Sequence, residues 1–192
     1  MNKNPIQEER IRGYFIQAAM EILRGEGIRD LSVRNVAEKA GYSYATLYNY
    51  FKDLNALMTA CINEFLNEAK VNIASSIQYI PKGKQRIAMI NYTFIRYFVQ
   101  YPGTFELIYS TKLDNMESQQ LILSFLDEQC EEDWSYLIKE EIFTEDIVNM
   151  KREAIKYLAT GMMLLYNNLR YPADYETYQD IVQKQISSLL EI

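Results

Sequence analysis

Almost every segment of this 192-residue chain repeats its apolar residues at three- and four-residue spacing, and none sustains the alternation that a strand requires. The chain is thereby restricted to an all-α fold of packed helices. Asn4 is placed to cap the first helix, with Pro5 at its first position, Gln7 where a capping-box partner belongs, and Glu8 and Glu9 at the positive end of the dipole. Its apolar face follows Ile11, Phe15, Ala18 and Ile22 and ends at Gly25 and Gly27. Ser32 caps a second, short helix whose Val33, Val36, Ala37 and Ala40 share a face, and Gly41 falls at the left-handed position that closes it. After the turn Gly41-Tyr42-Ser43, Ser43 caps a third helix, expected from Tyr44 to about Phe51. The four-residue spacing of Leu47 and Phe51 makes them its buried pair, leaving Tyr44, Ala45, Tyr48 and Asn49 outward.

A longer helix is expected from Asp53 to the region of Ala74, and Pro81, Lys82 and Gly83 interrupt the pattern. Beyond them the periodicity predicts helices at about Lys84 to Gln100, Gly103 to Thr111, Met116 to Ile142, Glu145 to Arg170 and Tyr175 to Leu190. The expected division places an N-terminal unit at residues 1–52, with the start of a connecting helix to about 60, and a second helical domain at 53–192.

The absence of histidine removes Ser-His-Asp and Cys-His nucleophile pairs, His-liganded zinc and His-ligated haem. Cys61 and Cys130 stand far apart with no Cys-x-x-Cys and no soft ligand nearby, and read as buried or incidental thiols of a reducing compartment. With no nucleophile-base pair, metal cluster or phosphate-binding glycine loop in view, no enzyme activity, catalytic residue, metal or cofactor is expected. The N-terminal MNKNPIQEER is polar where a signal peptide would be basic and then apolar, and the longest clean apolar run, Gly161 to Tyr166, is far too short to cross a bilayer. A cytoplasmic protein with no membrane partner is the expectation.

Net charge is −6, unevenly distributed: up to Asn55 eight basic residues face seven acidic ones, whereas beyond it twelve face nineteen. An acidic chain argues against nucleic-acid binding as a whole, but the local face decides. Two short helices joined by a tight glycine turn after a longer helix form a helix-turn-helix arrangement, whose second short helix enters the DNA major groove. A merely solvated helix face carries Lys, Glu and Gln; this one offers Tyr44, Ala45, Tyr48 and Asn49, flanked by Lys52. Phenol hydroxyls and an Asn amide can bond phosphates or base edges, and a small Ala permits close approach to a thymine methyl.

The string from Leu31 to Phe51, with its Ser-capped helix ending at Ala40-Gly41, its Ser43 turn, and Thr46-Leu47-Tyr48 leading to Tyr50-Phe51, resembles the signature of the TetR family of bacterial transcriptional regulators. Ala18-Ala19, Gly27 and Leu57 also fall where that family places them. The resemblance covers about the first 60 residues; the remainder is similar in length and helix content only. It implies that Ser32 and Arg34 meet the backbone or groove, that Ser43 opens the recognition helix at the DNA, that Tyr44, Ala45, Tyr48 and Asn49 read base edges, and that Thr46, Tyr50 and Lys52 touch phosphates. The chain departs from the family pattern at Leu54, where a Lys is common, at Tyr42, where a small aliphatic residue is usual, and at Tyr50, which replaces a frequent His.

Beyond Lys84 aromatic and Met residues are dense, and most of them read as core at helical spacing. Sixteen tyrosines are nonetheless more phenol than a dry core accommodates, because each buried hydroxyl needs a partner. A cavity with polar rims reconciles the two, and the resemblance implies one enclosed by the helices between Lys84 and Ile142, for an unidentified small-molecule effector. Candidate ligand-binding residues are Tyr92, Arg96, Tyr97, Tyr101, Phe105, Tyr109, Trp134, Met162 and Tyr166. Ile155, Leu158, Met162, Leu165 and Leu169, with Gly161 among them, make one apolar stripe, and Tyr178, Ile181, Val182, Gln185 and Leu189 make another. Such stripes either pack within one chain or pair two chains, and the resemblance implies a homodimer through the last two helices. The reading that results is a homodimeric, ligand-responsive transcriptional repressor acting on a double-stranded DNA operator. Its alternative is an all-α adaptor that binds a protein partner through the Tyr-rich N-terminal hairpin.

Overall fold

The computed structural model describes residues 4–110 and 116–192, and among them all regular structure is helical. Helix α1 spans Pro5–Gly25, α2 Val33–Ala40, α3 Tyr44–Leu47 and α4 Leu54–Ile77, with a 3₁₀ turn at Ile28–Asp30 between the first two. There follow α5 at Lys84–Gln100, α6 at Pro102–Phe105 with a π-helical turn at Glu106–Ser110, α7 at Met116–Lys139, α8 at Glu145–Leu169 and α9 at Tyr175–Leu190. The chain divides into two compact units: Met1–Asn67 with Tyr101–Gln119, and Glu68–Gln100 with Gln120–Ile192. Residues 101–110, distant in sequence from the N-terminal helices, thus cluster with them.

The caps read from the sequence are made. Asn4 Oδ1 accepts the Ile6 N–H at 3.2 Å, whereas the Gln7 side chain makes no capping-box bond among the described residues and only its backbone N–H donates to Asn4 O, at 2.9 Å, as the first turn closes. Ser32 accepts from Asn35 N–H and Ser43 from Thr46 N–H, both at 3.1 Å. Gly41 adopts φ 76°, which a side chain would resist, and its N–H turns back to Glu38 O.

Four helices differ in extent from the sequence expectation. The third helix was expected to reach Phe51 but is α-helical only over Tyr44–Leu47; Asn49 and Tyr50 then donate to carbonyls three residues back, Thr46 O and Leu47 O, tightening the chain into a turn. Asp53 lies just before α4 and caps it through a 2.8 Å bond to Ala56 N–H, so the next helix starts before another α-turn can form. That helix, α4, runs on to Ile77. α7 stops at Lys139, because the backbone reverses at Glu141 (φ 56°) and Ile142 donates back to Leu137 O. The helix expected at Gly103–Thr111 is a single α-turn followed by the π-turn, and Thr111 lies outside the described residues.

The core of the first unit includes the fully buried Phe15, Leu23, Leu47, Leu57, Ile62 and Phe65. Arg24, near the end of α1, lies over both the Phe65 ring (5.2 Å) and the Tyr101 ring (5.1 Å), fixing the start of α6 beside α1. Gly103 makes that approach possible, since a Cβ there would overlap the Leu23 carbonyl.

In the second unit α5, α8 and α9 pack on one another. Phe94 meets Phe98 edge-on at 4.8 Å and stacks on Phe125 at 5.7 Å. Asp133 is fully buried and accepts the Gly83 N–H at 2.9 Å, tying the entry to α5 onto α7; burial raises its carboxyl pKa. Lys151 caps the last turn of α9, donating to Leu189 O at 2.6 Å and to Glu191 Oε1 at 2.8 Å while sitting over the Phe143 ring. Both cysteines are buried, and burial pushes the Cys61 thiol up to about 12 and the Cys130 thiol further, so neither is a thiolate at neutral pH.

Two glycine substitutions with opposite signs test this packing. Gly103→Ala should destabilise the protein by ~1–3 kcal/mol or more, because backbone must move to admit the methyl. Gly13→Ala, on the exposed side of α1 with nothing near its Cβ, should stabilise it by ~1 kcal/mol through helix propensity. Urea unfolding of both variants measures the difference; equal stabilities would contradict the close approach of α6 to α1.

Candidate nucleic-acid interface

The recognition segment is built from the turn outward. Gly41 and the Ser43 cap set the direction of α3, and Leu47 (0% exposed) and Phe51 (3%) hold it down, as the four-residue spacing predicts. Tyr44 (65% exposed) and Tyr48 (51%) project from the opposite side together with the exposed Ala45 and Asn49, and Lys52 follows, also exposed. Arg34 is exposed one position into α2, beside its Ser32 cap.

Two of the residues expected at phosphates have local structural partners. The Thr46 hydroxyl shares a 2.9 Å hydrogen bond with the Ser43 hydroxyl, so it reinforces the cap. Tyr50 is half-buried with its ring 6.0 Å from that of Phe15, which also meets Tyr42 at 5.4 Å. Tyr42, unusual for its position, therefore lies on Phe15 and extends to Tyr14 at 6.4 Å.

Arg12 escaped the sequence reading. This exposed α1 residue holds its guanidinium 5.0 Å from the Phe51 ring centre, which puts a second cation beside the residue preceding Lys52. Nothing local in the sequence links Arg12 to Phe51, and only the tertiary packing of α1 brings them together.

The residues expected at an effector fall in several places. Tyr92 and Arg96 of α5 line a cavity of about 290 Å³ whose other wall is α9, through Tyr175, Tyr178 and Gln179. A wider, open cleft beside it is bordered by Tyr79, Tyr92 and Lys184. Tyr97 is buried and donates to Glu68 Oε2 at 2.8 Å, joining α5 to α4. Trp134 is buried beside a void of about 10 Å³, too small for any ligand. Met162 is half-buried, and Tyr166 stands behind the cavity with its ring 4.3 Å from Tyr178. Tyr101, Phe105 and Tyr109 belong to the first unit, where Tyr101 carries Arg24 and Phe105 stacks on Tyr109 at 5.0 Å. The cavity was expected among the helices between Lys84 and Ile142; α9 supplies half of it, and the sequence had assigned that helix to self-association alone.

Of the two stripes proposed for self-association, Ile155, Tyr178 and Val182 are buried within the chain, whereas Leu165 (42% exposed) and Leu169 (70%) are not. The open face of α8 also carries Tyr157 and Leu164, and a Cβ at Gly161 would meet nothing within 4 Å. Among the described residues no helix is long and apolar enough to cross a membrane, and no group of three potential metal ligands assembles.

A capped glycine turn that presents a polar aromatic face is the arrangement of a helix-turn-helix DNA-binding domain. Residues 15–61 match the family model of bacterial regulatory proteins, tetR family. The HTH-type transcriptional regulator BetI of Escherichia coli is 26% identical over 81 residues, covering 41% of this chain and 42% of that protein, so the chain spans less than half of that relative. Two solved structures share the fold over nearly the whole chain. One is a TetR-family transcriptional regulator from Syntrophomonas wolfei, 15% identical, covering 96% of each chain with a TM-score of 0.75. The other is the transcriptional regulator FadR from Bacillus subtilis in complex with stearoyl-CoA, 16% identical, covering 93% of this chain and 97% of that one, with a TM-score of 0.73.

Truncations separate the inner from the outer face of the recognition segment. Leu47→Ala and Phe51→Ala should each cost ~2–5 kcal/mol of stability, and Tyr48→Ala no more than ~0.5 kcal/mol. Denaturation curves of the three variants provide the check; a large loss for Tyr48→Ala would mean that its side chain packs inward.

Proposed function

We propose that this protein is a homodimeric, effector-responsive transcriptional repressor that reads a two-fold symmetric operator with its paired recognition segments. The observation that carries the reading is the outward set Tyr44, Ala45, Tyr48 and Asn49, which offers hydrogen bonds and close approach where an idle surface would carry flexible charges. Asn49 and Tyr48 contact base edges, with Tyr44 and Ala45 beside them. Lys52, Arg34 and Arg12 supply the phosphate grip at the rim, Ser32 and Ser43 present their helix starts to the backbone, and Thr46 and Tyr50 contribute mainly by holding the segment in place. Residues 1–52 with the beginning of α4 act as the DNA-binding part, and the remainder as the effector and dimerisation part.

Self-association uses the open face of α8, Leu165 and Leu169 with Gly161, together with α9. A C2 pair of such faces places two recognition segments symmetrically, as a palindromic operator requires. The effector response runs through covalent continuity. Arg96 stands one turn before the end of α5, and the residues that follow, Tyr101 and Gly103, are the ones docked against Arg24 and Leu23 of α1. An effector that favours one position of α5 thereby favours one position of the α1 anchor, and the two states bind DNA differently.

Selection of genomic fragments by the purified protein, followed by competition on the recovered site and a scrambled duplex, tests the function. Tyr48→Ala and Asn49→Ala should each lose ~1–3 kcal/mol on the recovered site and little on the scrambled one. Lys52→Ala and Arg12→Ala should weaken both alike, and Leu54→Lys should tighten both. Equal losses on both duplexes for Asn49→Ala would contradict base reading, and recovery of no fragment above background would contradict the function.

Gly161→Arg should leave the protomer folded, since its Cβ meets nothing, yet shift sedimentation to the monomer and abolish operator binding. A monomer that still binds the operator tightly would overturn the dimer assignment.

A further inference from the structure

Two arginines of α1 stand at opposite ends of the recognition segment. Residues two apart on an α-helix point about 160° away from one another, so Arg10 and Arg12 occupy different flanks of α1. Between them the fully buried Phe15 meets Tyr42 at 5.4 Å and Tyr50 at 6.0 Å, so α1 passes beneath the stretch that these two tyrosines bound. On one flank Arg12 lies 5.0 Å from the Phe51 ring, where that stretch ends. On the other flank the Tyr14 ring stacks on Tyr42 at 6.4 Å with 23° between the planes, and Arg10 is bonded to Tyr14. Tyr42 directly precedes Ser43, the cap of α3, and so ties Arg10 to the start of the recognition segment.

The Arg10 guanidinium is positioned without being neutralised. Its Nε–H donates to the Tyr14 hydroxyl at 2.9 Å, and its Cζ stands 5.9 Å from the centre of that ring. The acceptor is an uncharged phenol. No carboxylate among the described residues pairs with Arg10, whereas Arg86 and Arg152 each meet one. The Nε–H is thus used to hold the side chain, and the donors on the two terminal nitrogens have no partner among the described residues. Those two nitrogens, in one plane, match two oxygens of a phosphodiester. Arg10 and Tyr14 are both exposed, so the pair is open to a partner from solution. An arginine already held through Nε and a ring face has less rotamer freedom to lose on binding than one that is merely solvated.

We propose that Arg10 is a further DNA contact, binding a backbone phosphate beside the start of the recognition segment, and that Tyr14 is its positioning residue, carried in turn by Tyr42. With Arg12 at the other end, α1 grips the DNA backbone on both sides of the base-reading side chains. The inference rests on the DNA-binding reading above and extends the interface to a second flank of α1.

Fluorescence-anisotropy titrations of the full chain on the selected operator and on a scrambled duplex, each repeated over a potassium chloride series, test it. Arg10→Gln should weaken binding to both duplexes alike, by about five- to tenfold at low salt, and should lower the slope of log affinity against log salt by about one. Arg10→Lys keeps the charge without the planar fork, and should restore the slope while recovering only part of the affinity. Tyr14→Phe keeps the ring on Tyr42 but removes the acceptor for Nε, and should cost about two- to threefold on both duplexes with the slope unchanged. None of the three should lower the melting temperature of the free protein appreciably, because both side chains are exposed. Wild-type affinity and slope in Arg10→Gln, on an operator that the wild type binds, would overturn the proposal and leave the regulator reading standing. A loss confined to the operator would also overturn it, since that is the behaviour of a base contact. Tyr14→Phe indistinguishable from wild type would overturn the positioning role. Wild-type protein that binds neither duplex would defeat the regulator reading and this contact together.

Discussion

The Phe15 ring is the point on which the recognition surface depends. Four residues of α-helix cannot persist alone, because a single turn never recovers its nucleation cost. The segment is held instead by tertiary packing, with Leu47 and Phe51 buried beneath it and Tyr42 and Tyr50, at its two ends, against the fully buried Phe15. Ser43 then fixes the helix start, and Arg12 lies on Phe51 from the same helix that supplies Phe15. The directions of Tyr44, Tyr48 and Asn49 follow from that anchoring. This also gives Tyr42 a physical role, since an aromatic ring there extends the stack that a small aliphatic residue would leave short.

What the sequence made legible was local. Caps at Asn4, Ser32 and Ser43, the left-handed Gly41, and the burial of Leu47 and Phe51 all follow from residue type and spacing over a few positions. The length of α3 was less legible, because helix propensity does not register that Asp53 is about to start the next helix. Arg12 and the inward side of Tyr50 depend on contacts across more than thirty residues. The cavity was legible only in part for the same reason: Tyr92 and Arg96 stand out on α5, but Tyr175 and Tyr178 form the opposite wall only once α9 packs on α5. Tyr97 and Trp134, equally conspicuous in the sequence, are buried, and the Tyr97 bond to Glu68 is not one that spacing reveals.

Charge and packing divide the work between the two parts of the chain. The first 55 residues are nearly neutral and the rest strongly acidic, so under the proposed function attraction to DNA would rest on a few placed cations and on hydrogen bonds from an uncharged face. Such a face favours discrimination over grip. In the chain, the residues that leave the α5 wall of the cavity reach the contact that Gly103 permits against α1 within a few positions.

Hydroxyl-radical footprinting on a selected operator tests the central claim most directly, because it reports both that the recognition segments engage DNA and that they do so as a symmetric pair. The account predicts two protected stretches on one face of the duplex, related by two-fold symmetry, with centres about 34–36 Å apart or a whole multiple of that distance. A single protected stretch, or protection without regard to sequence, would contradict it.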